Sequence, residues 1–247
     1  MNSFKNKIAL VTGSTRGIGL SIAMNLQTKG CKVILNSRKN FKHTNKNKFA
    51  NIFHYRFDCT NERQVFKNLK KIKKDFKKVD YLICNVGSSK VNKKISGSKE
   101  EWKRMIENNL YSSIIVIENF LKFFNKEIKI VCISSISGKY LSKSSIEYTV
   151  AKSALNTYVR KKSKLLNGDS TINCVAPGNI LFKGGSWDKK LKAGNAKVMK
   201  QIRENVPLKR FGTPAEVASL VSFICSGSSN FINGSIITID GGQDQSI

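Results

Sequence analysis

Ile8-Ala9-Leu10-Val11-Thr12-Gly13-Ser14-Thr15-Arg16-Gly17-Ile18-Gly19 begins as a continuous apolar run and then breaks into a glycine-rich string. The run reads as a strand, and the string sits where that strand hands over to a helix. Glycines in such a turn let the backbone bend tightly and approach a pyrophosphate closely. The helix N-terminus that follows offers N–H donors without intrahelical partners. A purely structural turn has no need of that combination, so the stretch predicts a dinucleotide site. Gly13, Ser14, Thr15, Arg16, Gly17, Ile18 and Gly19 are its candidate residues.

The same kind of apolar, β-branched run recurs at Lys32–Leu35, Ile52–Phe57, Val79–Cys84, Ile128–Ile133, Thr171–Val175 and Ser235–Ile239. Most are continuous rather than alternating, as strands covered on both faces should be. Helical patterns lie between them at Glu62–Phe76, Glu101–Phe124, Ile146–Leu166 and Pro214–Cys225, the last preceded by the cap residue Thr213. Regular alternation predicts one α/β domain over residues 1–247: a Rossmann-like, doubly wound parallel sheet of about seven strands with helices on both faces. Two stretches break the rhythm. Ser37–Asn51 is polar and Lys/Asn-rich, so any helix there should be short. Pro177–Lys197 is punctuated by glycines and carries Trp187, which predicts a substrate lid around residues 179–198.

Lys and Arg number 44 against 16 Asp and Glu, a net charge of +28. Such a balance raises nucleic-acid binding. Here, however, the lysines are spread along the chain and accompany abundant Asn, Ile and Phe, the bias of AT-rich coding. No nucleic-acid partner is expected, although a basic surface would steer an anionic substrate or an acidic carrier protein. The local run Lys67, Lys70, Lys71, Lys73, Lys74, Lys77 and Lys78 should form a solvated helix face. No stretch of eighteen apolar residues exists, so no membrane span is expected. The first residues lack the order of a signal peptide, which points to the cytoplasm.

Six cysteines (Cys31, Cys59, Cys84, Cys132, Cys174, Cys225) are scattered without metal-ligand spacing and read as buried free thiols. The two histidines, His43 and His54, stand apart from the motifs, so neither a histidine triad nor a metal site is expected.

Tyr148-Thr149-Val150-Ala151-Lys152 places a phenol and an ammonium four residues apart, on one face if helical. The lysine should draw the tyrosine pKa below its ordinary value of about 10 and make it a proton donor near neutral pH. An ordinary surface tyrosine on an amphipathic helix has the same spacing, so the surrounding motifs decide. Ser135 lies thirteen residues before Tyr148. Asn85-Val86-Gly87 follows the fourth apolar run, Asn109 lies in the following helix, Pro177-Gly178 follows the sixth run, and Asp240-Gly241-Gly242 follows the last run.

With the T-G-x-x-x-G-x-G spacing of the first string, this ordered set resembles the short-chain dehydrogenase/reductase family over nearly the whole length. The resemblance implies a catalytic set of Asn109, Ser135, Tyr148 and Lys152. Ser135 and Tyr148 would bond and protonate a carbonyl oxygen. Lys152 would also hold the nicotinamide ribose, and Asn109 a proton-relaying water. Asn85, Gly87, Tyr148, Lys152, Pro177, Gly178 and Ile180 would line the cofactor, with Asp58 near the adenine.

Leu35-Asn36-Ser37-Arg38 ends the second strand without the carboxylate that binds ribose hydroxyls in NAD enzymes. Arg16 and Arg38 can instead grip a 2′-phosphate, so NADP(H) is expected over NAD(H). One departure stands out. Phe182 occupies the place of a threonine that commonly touches the carboxamide. Trp187 serves equally well as a substrate platform or a packed lid anchor.

The expected activity is NADP(H)-dependent hydride transfer between the nicotinamide and a ketone or secondary alcohol. A 3-oxoacyl group on an acyl carrier protein is the first candidate substrate. A sugar or sugar nucleotide of surface-glycan synthesis is the alternative, and a non-catalytic NADP-binding regulator a weaker one. The resemblance further implies a homotetramer or homodimer.

Overall fold

Strands apolar on both faces are buried only where helices cover both sides of the sheet. In the computed structural model, which describes residues 4–41, 51–89, 97–140, 144–194 and 197–244, the seven runs form one sheet whose five inner strands meet that condition and whose two edge strands are only partly buried. They form β1 (Ile8–Val11), β2 (Lys32–Ser37), β3 (Ile52–Arg56), β4 (Tyr81–Cys84), β5 (Lys129–Ile133), β6 (Thr171–Pro177) and β7 (Ile236–Ile239). All pair in parallel, in the order β3-β2-β1-β4-β5-β6-β7. The order reverses between β1 and β4, which opens a crevice at their carboxyl ends, where such sheets bind ligands.

Neighbouring residues of each strand serve opposite faces. Leu10, Ile34, Leu82, Ile130 and Ile172 pack with α2 (Glu62–Phe76), α4 (Ser112–Leu121) and α5 (Ile146–Lys162). Ala9, Val11, Val33, Leu35, Ile83, Val131 and Val175 pack with α1 (Gly17–Thr28) and α8 (Pro214–Cys225). Burying each of the Leu, Ile and Val side chains stabilises the fold by about 1.5–3 kcal/mol relative to exposure. On α2 the buried Val65, Leu69 and Ile72 form one stripe, while its five lysines, and Lys77 and Lys78 just beyond it, are exposed.

Caps fix the helix ends. The Asn61 side chain accepts from the Gln64 N–H at 3.0 Å. Thr213 and Glu216 exchange bonds ahead of Pro214, with the Thr213 N–H 2.7 Å from the Glu216 carboxylate.

The helix expected over Glu101–Phe124 is three pieces: α3 (Lys99–Ile106), a wide π turn (Glu107–Tyr111) and α4. The helix expected to reach Leu166 ends at Lys162. The segment expected as a loop holds α6 (Ser186–Lys192), followed by α7 (Lys197–Asn205). Trp187 and Leu191 of α6 join Val198, Ile202, Val206 and Phe211 in a small core of their own. Its glycines thus bound a helix rather than prevent one. Residues 195 and 196 of that segment, and 42–50 with His43, lie outside the described residues.

All six thiols are free and buried. Among the described residues no helix is long and apolar enough to cross a membrane, and no group of three metal-ligating side chains exists.

Candidate active site

The glycine-rich turn fills the crevice between β1 and β4. Gly13 and Gly17 take φ values of +59° and +54°, a region that residues with a Cβ enter only under strain. Arg16 is the N-cap of α1 but makes no capping side-chain bond, and the first turn has no acidic residue. The N–H groups and partial positive charge of that terminus are left for an anion.

Asn36, at the end of β2, holds the turn in place. Its carboxamide oxygen accepts from the Gly13 N–H at 3.2 Å and its Nδ2 donates to the Phe57 carbonyl at 2.9 Å. The Ser14 N–H donates to the Asn36 carbonyl at 3.0 Å, and the Asn36 N–H to Ser14 Oγ at 3.1 Å. Sequence reasoning missed this residue, although an asparagine directly after Val33-Ile34-Leu35 is a polar group entering a buried layer.

Asn85 acts from the other side of the turn: Nδ2 donates to the Thr12 and Gly13 carbonyls at 3.1 and 3.0 Å. Asn85 and Ser14, both expected to touch a cofactor, therefore use their side chains to shape the turn. Ser14 is fully buried and its hydroxyl donates to the Val11 carbonyl. Thr15 and Ile18 are half-buried along the turn.

Arg38 is exposed beyond β2, 3.9 Å from Asp58, whose carboxylate accepts from the Thr60 N–H. His54 stands behind this corner, its Nε2 2.8 Å from Ser37 Oγ. Arg16 reaches a different partner, the Gly184 carbonyl, at 3.4 Å.

At the chemical end the four expected catalytic residues converge. Ser135 lies two residues past β5, with its Oγ accepting from the Ser137 N–H at 3.1 Å, and it faces the Tyr148 hydroxyl. Tyr148 and Lys152 share the inner face of α5, with Nζ 5.9 Å from the phenol ring centre. Nζ donates to the Ile133 carbonyl at 2.9 Å. The Asn109 side chain pairs with the Ser88 backbone, accepting at 3.0 Å and donating at 2.9 Å. Gly87 bridges these groups: a Cβ there would stand 2.9 Å from Asn109 Oδ1 and 3.3 Å from Lys152 Nζ. Asn109 lies inside the π turn, a widening frequent at functional sites.

Asn156, not anticipated, aligns α5 with the Ser135 loop. It accepts from Ser134 Oγ at 2.7 Å and donates to the Gly138 carbonyl at 3.0 Å.

The electrostatics correct one expectation. Burial pushes the Lys152 ammonium down to about 8. Desolvation raises Tyr148 above its ordinary value of 10.0, and the Ser135 hydroxyl only partly opposes it. The anticipated depression of Tyr148 by its lysine is absent: desolvation outweighs it, and Nζ, itself desolvated, directs a hydrogen bond to the Ile133 carbonyl.

The third wall comes from the end of β6, past Pro177. Gly178 lies against Asp240, where an added Cβ would come within 2.7 Å of the aspartate Cβ, and Ile180 bridges to Gly212. Trp187 packs on Phe211 with ring centres 5.4 Å apart, which makes it an anchor of the small core that α6 shares with α7. Phe182 rests on Gly17.

A family model described as enoyl-(acyl carrier protein) reductase matches residues 13–244. The 3-oxoacyl-(acyl-carrier-protein) reductase FabG of Buchnera aphidicola subsp. Baizongia pistaciae is 30% identical over 245 residues, covering 96% of this chain and 97% of the relative. The enzyme of the same name from Aquifex aeolicus is 30% identical over 249 residues, covering 97% and 98%. Among solved structures, the ligand-free aldohexose dehydrogenase AldT of Thermoplasma acidophilum superposes with a TM-score of 0.86 at 28% identity, covering 100% of this chain and 97% of that one.

Proposed function

The chain belongs to the short-chain dehydrogenase/reductase family and is an oxidoreductase, and from that premise we propose that it reduces the ketone of a 3-oxoacyl thioester with NADPH. The observation that carries this reading is the convergence of Ser135, Tyr148, Lys152 and Asn109 at one end of the crevice whose other end is the uncapped N-terminus of α1. The residues present fit a dinucleotide phosphate: N–H donors without a cap, an exposed Arg38, and no carboxylate at the end of β2. Bound NADPH would supply the hydride that reaches the carbonyl carbon.

The protein groups handle the oxygen. Ser135 donates a hydrogen bond to it as negative charge develops, and Tyr148 delivers the proton. Lys152 would hold the ribose, while the Ser135 hydroxyl is the group that favours the phenolate left behind. The Asn109 side chain is committed to Ser88, so its part in resupplying protons falls to the backbone that the π turn opens. Backbone groups near Ile180 would hold the carboxamide, where Phe182 has no hydroxyl to give.

The carrier reading draws support from the FabG relatives and from the chain's +28 charge, which suits an acidic carrier protein. Six free thiols suit the reducing cytoplasm. Exposed Tyr111, Ile146 and Val150, beside α4 and on α5, support assembly as a homotetramer through those helices.

The deciding assay follows NADPH absorbance with a 3-oxoacyl thioester on acyl carrier protein, against NADH and against aldohexoses with NADP+. NADPH-dependent reduction of the thioester is expected. Turnover confined to hexoses, or equal efficiency with NADH, would overturn the substrate or the cofactor assignment respectively.

A further inference from the structure

Phe182 lies on Gly17, the glycine that opens α1. A Cβ added to Gly17 would meet its Cε2 at 2.6 Å and its Cδ2 and Cζ at 2.9 Å. The other side of the ring meets Gly185, where an added Cβ would be 3.1 Å from Cζ. Two glycines thus make a slot for one phenyl ring, and its edge continues the apolar layer of Ile18 and Ile180.

The turn that carries the ring is itself fixed. The Gly185 N–H donates to the Phe182 carbonyl at 2.9 Å, and the Gly184 N–H to Asp188 Oδ2 at 2.8 Å. Arg16 then joins this turn to the cofactor loop through the Gly184 carbonyl. Both contacts fall on groups needed elsewhere: Gly17 opens α1 and its anion-binding terminus, and Arg16 is a candidate ligand of the 2′-phosphate.

We propose that Phe182 is a positioning residue that latches residues 182–185 over the N-terminus of α1, so that a dinucleotide enters only after the ring leaves Gly17. The proposal rests on the NADPH reading above. A polar side chain here would leave the terminus open to water and ligand. Phenylalanine closes it with apolar contact and ties the start of α6 to the state of the cofactor site. Release of Arg16 and displacement of the ring are then one event, and binding of the nucleotide reorganises the substrate wall.

Stopped-flow NADPH fluorescence on the full chain tests this with Phe182→Thr and with Phe182→Leu, which keeps apolar bulk. In the wild type the observed binding rate should level off with NADPH concentration, at the rate of ring departure. Apparent affinity scales with the fraction of molecules whose cleft is open, so Phe182→Thr should bind about tenfold more tightly and lose the plateau. Phe182→Leu should fall between, and circular dichroism confirms that each variant is folded. A rate that rises linearly in the wild type, or weaker binding by a folded Phe182→Thr, overturns the latch while leaving the NADPH reading intact. Binding of neither NADPH nor NADH by any variant overturns both.

Discussion

Replacing Asn36 by alanine should separate the shaping of the cofactor turn from the chemistry. The side chain is 1% exposed, so water cannot readily take its place. Its removal strands the Gly13 N–H, now bonded at 3.2 Å, and the Phe57 carbonyl, bonded at 2.9 Å. An unpaired buried polar group costs about 1–3 kcal/mol, so the variant should lose roughly 2–5 kcal/mol of stability. For a chain of this length that lowers Tm by about 5–15 °C. The freed turn should raise KM for NADPH by about tenfold, or ~1.4 kcal/mol, with kcat little changed, because Ser135 and Tyr148 do not touch Asn36. Asn36→Asp keeps an acceptor for Gly13 but turns an oxygen toward the Phe57 carbonyl, and should recover the KM better than the stability. Thermal unfolding and steady-state kinetics measure both quantities. A stability loss under about 0.5 kcal/mol, the range of neutral surface changes, would refute the claim that Asn36 holds the turn.

Tyr148→Phe should abolish turnover while NADPH still binds; substantial residual reduction would remove Tyr148 as proton donor. Lys152→Met should also end turnover, yet raise stability near pH 7. The buried ammonium titrates at about 8 in the folded chain against an ordinary 10.5. Charging it therefore opposes folding below that range, by up to roughly 3 kcal/mol at about 1.4 kcal/mol per pKa unit. The gain should shrink as pH climbs from about 8 toward 10.5; denaturant titrations across that range check it, and a gain independent of pH would count against a charged, buried Lys152. A thiol reagent should label none of the six cysteines rapidly in the native protein and all six after unfolding. A fast-reacting thiol would contradict their burial.

The sheet was legible because parallel strands buried on both faces leave unbroken apolar runs such as Ile8–Val11 and Ile130–Ile133. Glu62–Phe76 and Pro214–Cys225 were legible to the residue, the second because Thr213 announces its start in the chain itself and the first because its apolar stripe repeats at helical spacing. The π turn at Glu107–Tyr111 was not: one wide turn barely disturbs a helical pattern over a longer window. Nor was α6, whose charged residues and flanking glycines resemble a loop and whose stability comes from Trp187 meeting Phe211, distant in sequence. Ser135, Tyr148 and Lys152 could be found by spacing. Asn36 and Asn156 could not, because their importance lies in backbone atoms that only the fold brings to them. The reversed shift of Tyr148 belongs to the same class, since desolvation is a property of the assembled crevice.

The π turn between α3 and α4 also sets a phase. Each residue of an α-helix advances about 100° around the axis, so one surplus residue in a turn rotates everything upstream by about that angle relative to everything downstream. Met105 on α3 and Val116, Ile117 and Phe120 on α4 all reach the interior across that offset. Deleting a single residue from Glu107–Tyr111 would heal the helix into regular hydrogen bonding. It would also swing one of the two apolar faces out of the protein. The imperfection in the helix is the gear that keeps its halves meshed with the same core.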